Sequence, residues 1–151
     1  MTSSRLMMCL CSFLFVLGCG GKEPLQVVEV EGTLLLDEKP LPLAFIEFMP
    51  ELKGHGAEAN SNAMTDEQGK FKLMHGAEPG AVIATHRVVV NEGQPPAGAR
   101  GQDAASQTKL TDYMNSLKNR PIPGRYGSYS TSNARVEIKG EDKKLVVKLT
   151  R

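Results

Sequence analysis

Short runs of alternating apolar and polar residues constrain this chain more than any other feature of its sequence. Alternation with period two places successive side chains on opposite faces and is typical of half-buried antiparallel strands. It runs through Val27–Leu36, Ala44–Met49 and Lys70–Met74, and no long helical pattern competes with it. The apolar positions predicted to face a common core are Val28, Val30, Leu34, Leu36, Ala44, Ile46, Phe48, Phe71 and Leu73.

Turn residues separate these runs. Asp37-Glu38-Lys39-Pro40 predicts a hairpin, and Asp66–Gly69 predicts a tight turn in which the glycine supplies a positive φ. Gly32 predicts a bulge or bend inside the first run. Ser61–Thr65 reads as a weak further strand.

The remaining strands complete an all-β pattern. Ala81–Val90 is rich in β-branched residues, which predicts a central strand buried on both faces. Ala134–Lys139 and Lys143–Thr150 predict a final hairpin joined through Gly140-Glu141-Asp142. About seven strands with regularly spaced turn signals predict a Greek-key, immunoglobulin-like sandwich, and the absence of Trp predicts a thin, aliphatic core.

The first 18 residues predict an export signal. One positive charge, Arg5, precedes the apolar run Leu6–Leu17, whose 12 residues have the length of a signal-peptide h-region. A spanning helix needs about 20 residues. The run ends in Val16-Leu17-Gly18-Cys19, which resembles the bacterial lipobox. In that motif the cysteine receives a diacylglyceryl group before cleavage, so Cys19 is the predicted lipidation site.

Cleavage before Cys19 leaves a flexible tether, residues 19–26, ahead of one domain, residues 27–151. Two or three acyl chains, palmitate among them, anchor a protein stably. We therefore predict an exported protein held at an envelope membrane, on the periplasmic or outer-membrane face. The alternatives are an uncleaved N-terminal anchor and an ordinary signal peptide.

Charge and cysteine content exclude several functional classes. The chain has 18 Lys and Arg and 17 Asp and Glu, and of these only Arg5 lies in the leader. The chain after the leader therefore has no net charge. A chain without net positive charge lacks the electrostatic attraction on which nucleic-acid binding depends. Cys9 and Cys11 leave with the leader, so no internal disulfide and no cysteine metal site are expected.

An insertion at about residues 91–121 interrupts the strand pattern. Asn91–Ser106 contains no large apolar residue, which predicts a mobile segment. A helix of about ten residues is predicted after it, with Thr108 as N-cap and Pro121 as the stop. Its apolar face comprises Leu110, Tyr113, Met114 and Leu117. This face either packs on the protein's own sheet or contacts a partner protein.

Several segments together resemble a known family. The segments are the lipobox, Val30–Pro50, Thr65–Leu73, Pro79–Val90 and Ile122–Tyr126. They are similar to small bacterial lipoproteins, abundant in planctomycetes, that carry a carboxypeptidase-regulatory-like or transthyretin-like domain. The resemblance covers nearly all of the chain after the leader, although the usual D-G-K-P turn is D-E-K-P in this chain. It implies a seven-stranded prealbumin-like sandwich without enzymatic activity or an established ligand.

The sequence singles out no reactive cluster. His55, His75 and His86 are not spaced as metal ligands, and His86 shares the parity of the buried valines after it, which predicts a hydrogen-bonded strand residue. Asp66–Gly69 lacks the other ligands of a calcium loop, and no G-x-S-x-G motif is present. We therefore predict no catalytic residue, metal or cofactor.

Two functional hypotheses follow. The first is a non-enzymatic, lipid-anchored interaction or structural module that contacts an envelope protein. The alternative is a small-molecule or glycan-binding accessory lipoprotein that uses residues 91–120 as a lid. The available carbohydrate-stacking rings are Tyr113, Tyr126 and Tyr129, of which Tyr126 is predicted to be a structural anchor instead.

Overall fold

The computed structural model describes residues 24–141 and 144–151. Within them the chain forms twelve short strands, one α-helix and three 3-10 turns. In chain order these are β1 Val27–Val28, β2 Glu31–Leu36, β3 Lys39–Pro40, β4 Ala44–Pro50, a 3-10 turn Ala57–Ala59, β5 Ser61–Met64, β6 Lys70–Lys72, β7 Met74–His75, β8 Glu78–Pro79, β9 Ala81–Val82, β10 Ala84–Glu92, a 3-10 turn Ala97–Ala99, α1 Ala104–Ser116, a 3-10 turn Gly124–Gly127, β11 Arg135–Ile138 and β12 Lys144–Leu149. The prediction of a mostly β chain with a single short helix is confirmed.

Two main sheets enclose the core, and β1 pairs with β9 in a separate two-stranded sheet. The larger sheet has the order β11-β10-β4-β5-β7-β8, and its pairs are antiparallel. The smaller sheet has the order β12-β2-β3, with β6 also paired to β2. Apolar side chains from the inner faces of both sheets form one cluster, in which the Phe48 and Phe71 rings lie 6.0 Å apart between centroids. As predicted, Ala44, Ile46 and Phe48 are all fully buried.

The predicted final hairpin is wrong. β11 pairs with β10 in the larger sheet, whereas β12 runs parallel to β2 in the smaller one. Both runs alternate as the strands of a hairpin would. They lie in different sheets, however, and each turns its apolar side chains toward the core from its own sheet. The chain therefore crosses between sheets after Ile138.

The predicted strand Ala81–Val90 is divided in two. β9 pairs with β1 and β10 pairs with β4, with a break at Ile83. Consecutive residues are buried on both faces at Ala81–Val82 and at Val88–Val90, but not between them, where Thr85 is exposed on the outer face. Beyond Thr85, the chain around Tyr129 covers part of that face. The central position between β11 and β4 is as predicted.

The helix differs from its prediction at both ends. It ends at Ser116, with Leu117 as an extended C-cap, and not at Pro121. Asp103, not Thr108, is the N-cap: one carboxylate oxygen accepts the Ser106 N–H at 3.0 Å, and the other accepts the Ser106 hydroxyl at 2.6 Å. The apolar periodicity begins only at Leu110. The first turns of the helix are polar, so this pattern could not predict them. No helix in the described residues has the length and apolar content needed to cross a bilayer.

The β2–β3 hairpin has two central residues with positive φ, Asp37 at 50° and Glu38 at 60°. Two-residue hairpins adopt this geometry because it matches strand twist, and glycine or asparagine adopts it most readily. The left-handed conformation costs a glutamate about 1–2 kcal/mol. Part of this cost should be recoverable by substitution.

We expect Glu38→Gly to raise the free energy of unfolding by about 0.5–1 kcal/mol, measured by urea denaturation. The lost ion pair with Lys148, 3.1 Å long between two largely exposed side chains, contributes little. Glu38→Ala is the matched control, since it removes the ion pair and keeps the strained backbone. Equal stability of the two variants would contradict this interpretation.

Candidate functional site

The predicted insertion lies at one end of the sandwich. Val27 and Val82 pair at the opposite end, where β1 brings the chain in from the tether. From there β10 runs nine residues to Glu92 and enters the insertion. At about 3.3 Å per residue the strand spans roughly 30 Å. Residues 24–28 and the insertion therefore lie at opposite ends of the sandwich, which we call the tether pole and the insertion pole.

The segment after α1 is bound to the sandwich through Asn119. This residue has a φ of 56°, and its side-chain amide lies 2.9, 3.0 and 3.2 Å from the carbonyl oxygens of Leu36, Lys39 and Pro40. Asparagine tolerates the left-handed conformation better than most residues. The amide thereby joins the end of the insertion to the β2–β3 hairpin.

Arg120 makes the second attachment. Its Nε donates to the Glu92 carboxylate at 2.6 Å, and its Nη2 donates to the Pro42 carbonyl at 2.7 Å. The Arg120 side chain is only 11% exposed. Since Glu92 ends β10, the ion pair joins the entry and the exit of the insertion. The guanidinium thus binds the sandwich and not the helix end. We call Asn119 and Arg120 together the clamp.

The candidate partner-contact face, on α1 and its C-cap Leu117, remains partly open. Leu110, Tyr113 and Leu117 are half-buried and Met114 is 39% exposed. No residue of the helix is fully buried, and its principal neighbour is the 3-10 turn Ala97–Ala99. Ala99 is buried in that contact. The segment 91–106, predicted to be mobile, thus contains the end of β10, this turn and the first turn of α1.

The histidines lie apart. His86 is fully buried, and its Nε2 lies 2.7 Å from the Val82 carbonyl oxygen, which confirms the predicted hydrogen-bonded strand residue. Burial lowers the pKa of His86, and the Val82 carbonyl opposes this only in part. His75 Nδ1 lies 3.2 Å from the Asn60 carbonyl oxygen. Within residues 24–141 and 144–151 no group of three metal-ligating side chains is assembled.

Two predicted structural features are confirmed. Asp66 Oδ1 accepts the N–H groups of Gln68 and Lys70 at 2.9 and 2.8 Å, and Gly69 has a φ of 73°, as a tight turn requires. The Tyr126 ring is 4% exposed, and its hydroxyl contacts both backbone polar atoms of Thr150 at 3.2 Å. The buried Tyr126 side chain is therefore not available to a ligand.

A second arrangement surrounds Tyr129, one of the three rings considered from the sequence, on the outer face of the larger sheet. The sequence did not predict its charged partners. The ring is 43% exposed and stacks on the Arg87 guanidinium, whose central carbon lies 4.4 Å from the ring centroid. Arg87 and Arg135 both donate to Glu51. These hydrogen bonds, that of Arg87 above all, lower the pKa of Glu51. An open groove of about 450 Å³ lies beside this group.

Cys19, the predicted lipidation site, lies outside the described residues. The residues that sequence reasoning missed are Asn119 at the clamp and the Arg87–Glu51–Arg135 group. Asn119 carries a weak signal, because an asparagine shortly after a helix often adopts positive φ. The charged group carries none, since its members are 36 and 84 positions apart.

Comparison of the chain with models of protein families, with curated proteins and with solved structures finds no match.

Proposed function

We propose that this protein is a non-enzymatic, lipid-anchored module of a bacterial cell envelope. Its membrane anchor is acylated Cys19, and its contact surface for an envelope protein is the insertion. The observation that supports this most directly is the separation of the two poles. A protein tethered through residues 19–26 holds the α1 face at the end far from its membrane.

The clamp supports the same proposal. A helix of 13 residues is marginal in water without a packing surface. Asn119 and Arg120 fix its exit to the sandwich, while Leu110, Tyr113, Met114 and Leu117 stay partly open. The apolar face is thus held in place without being fully covered. A partner protein that covers the rest of this face accounts for the arrangement.

The proposed family is that of the carboxypeptidase-regulatory-like or transthyretin-like envelope lipoproteins, with a seven-stranded Greek-key sandwich. Counting β1 with β2, β6 with β7 and β9 with β10 as interrupted strands, and omitting the two-residue β3 and β8, gives seven. The crossover that places β12 beside β2 supports a Greek-key connection. The aliphatic inner faces predicted from the sequence are consistent with it.

Membrane attachment is tested by substituting the predicted lipidation site. We expect wild-type protein to fractionate with membranes and to incorporate labelled palmitate in cells. Cys19→Ser should lose both properties, because the acyl chains are the anchor. Cys9→Ser is the matched control and should keep both, since it changes a leader cysteine. A Cys19→Ser protein that stays membrane-bound and labelled would refute the anchoring proposal.

The contact surface is tested separately by site-specific photo-crosslinking in cells. A photoreactive residue at Met114 should give a discrete protein adduct. The same residue at Val146, which is 60% exposed on the outer face of the smaller sheet, should not. The adduct should also disappear when Tyr113→Asp is added on the α1 face. Equal crosslinking from both positions would argue against a specific interface on the helix.

A second candidate function is a small-molecule or glycan binder in which residues 91–120 act as a lid. It is supported by a groove of about 270 Å³ between the chain at Pro42–Leu43, Glu67 and the helix end at Ser116–Lys118. A lid function predicts that ligands raise thermal stability only when the insertion is intact. Deletion of residues 92–106 with unchanged ligand-induced shifts across a metabolite panel would exclude it.

A further inference from the structure

The groove beside Tyr129 combines the chemical groups that recognise a sugar chain. A pyranose ring has an apolar face of C–H groups and a rim of hydroxyls. An exposed tyrosine offers a matching flat surface with a polar tip and loses little rotamer entropy on binding. Tyr129 meets this requirement, since 43% of the residue is exposed at the edge of the groove.

The platform is fixed before any ligand arrives. One face of the Tyr129 ring is covered by the Arg87 guanidinium at 4.4 Å, and Arg87 Nη1 donates to the Tyr129 carbonyl at 2.9 Å. Arg87 is in turn held by two hydrogen bonds to Glu51, of 3.2 and 2.9 Å. The following turn is joined to β10 by the Ser132 hydroxyl, which donates to the Val88 carbonyl. Preorganisation of this kind reduces the entropic cost of binding.

Hydroxyl-binding groups lie next to the ring. In the described part of the chain every hydrogen bond to Glu51 ends on Oε1, with Arg135 Nε as the third donor at 3.1 Å. Oε2 is left to accept a sugar hydroxyl. His55 and Asn60 line the same groove and add a ring nitrogen and a side-chain carbonyl oxygen. The Asn60 amide nitrogen is already bonded to Glu47 at 2.9 Å, which orients the amide.

We propose that the groove formed by residues 49–53 and 55–57, with Asn60 and Tyr129, is a binding site for a saccharide chain. One pyranose stacks on the free face of Tyr129, and its hydroxyls bond to Glu51 Oε2. The groove is open along the surface instead of enclosing its contents, so it suits a chain that passes over the protein better than a single small molecule. The site is independent of the insertion, of the α1 face and of lipidation.

The position of the groove separates it from the α1 face. Glu51, at the end of β4, bonds to the Thr85 carbonyl near the start of β10, and so lies toward the tether pole. His55 also lines a smaller groove with Pro24–Gln26 at the exit of the tether. The saccharide site and the α1 face therefore occupy different parts of the molecule, and one protein could hold both ligands at once.

The test is titration of the full-length protein with chitohexaose, cellohexaose and an oligogalacturonate, followed by ¹H–¹⁵N NMR. At least one probe should shift amide signals of residues 51–60 and 128–131. Tyr129→Ala should weaken binding of that probe by about tenfold or more, whereas Tyr129→Phe should retain it, because the stacking surface is kept. The matched control is Met64→Ala, which removes a large apolar side chain of similar exposure, 45%, outside the groove and should leave the affinity unchanged.

Three outcomes would overturn the proposal. The first is that none of the three probes binds at millimolar concentration. The second is that Tyr129→Ala binds as well as wild type. The third is that Met64→Ala weakens binding as strongly as Tyr129→Ala does. Thermal denaturation of each variant identifies misfolding. If Tyr129→Ala fails to fold, the wild-type amide shifts still decide the test, because a probe that shifts only signals outside residues 51–60 and 128–131 contradicts the proposal.

Discussion

Arg120→Ala is expected to lower the free energy of unfolding by about 2–3 kcal/mol and to release the helix. The substitution removes a guanidinium that donates to Glu92 at 2.6 Å and to the Pro42 carbonyl at 2.7 Å. It leaves the Glu92 carboxylate, whose side chain is only 34% exposed, without its cation. Removing one partner of a poorly hydrated pair costs more than the pair itself contributes.

The measurement is urea denaturation together with amide hydrogen exchange over α1. The helix depends on the clamp for its position, so its amides should exchange faster in Arg120→Ala even under native conditions. Arg100→Ala is the matched control, because Arg100 lies in the same insertion, is exposed and donates to the nearby Pro95 carbonyl. It should change stability by less than about 0.5 kcal/mol. Similar losses in the two variants would show that the clamp has no special role.

His86 should make the stability of the protein dependent on pH near neutrality. The side chain is fully buried against Phe48, with ring centroids 5.7 Å apart, and burial lowers its pKa below the ordinary value of 6.5. The folded state therefore takes up a proton at lower pH than the unfolded state does. Stability from this group is complete above pH 6.5 and is lost as the pH falls from 6.5 toward the lowered pKa of the folded state.

Between pH 7.5 and 5.5 we expect the free energy of unfolding to fall by up to about 1.4 kcal/mol. This range lies above that in which the carboxylates of Asp37 and Glu51, whose pKa values are lowered, begin to be protonated. His86→Gln cannot titrate but keeps a donor for the Val82 carbonyl, so its stability should be flat over the same range. His75→Gln leaves His86 in place and should behave as wild type. A His86→Gln variant with the wild-type pH dependence would exclude His86 as the origin.

The inner faces of the strands followed from the sequence because period-two alternation reports a local property. Ala44, Ile46 and Phe48 are buried because they share one side of one strand, whatever lies across from them. The Asp66–Gly69 turn was predictable for the same reason, since its hydrogen bonds join residues two to four positions apart.

Pairing partners were less accessible to this reasoning. The hairpin predicted for the last two runs did not form, because alternation is satisfied equally well by either sheet. β11 lies against β10 and β12 against β2, so the choice depends on which apolar surface remains uncovered once the other strands are in place. The helix start was missed because it depends on a polar cap, Asp103 with Ser106, and the apolar pattern does not extend that far.

By itself the sequence determined the strand faces, the main turns and the approximate place of the insertion, all of which depend on residues within a few positions of one another. Its leader also predicts the site of attachment at Cys19. Only the tertiary structure brought Arg120 to Glu92 and Arg87 to Glu51 and Tyr129, across 28, 36 and 42 positions. Such contacts are decided by the packing of whole sheets, because no local propensity of an arginine or a tyrosine selects a partner so distant in the chain.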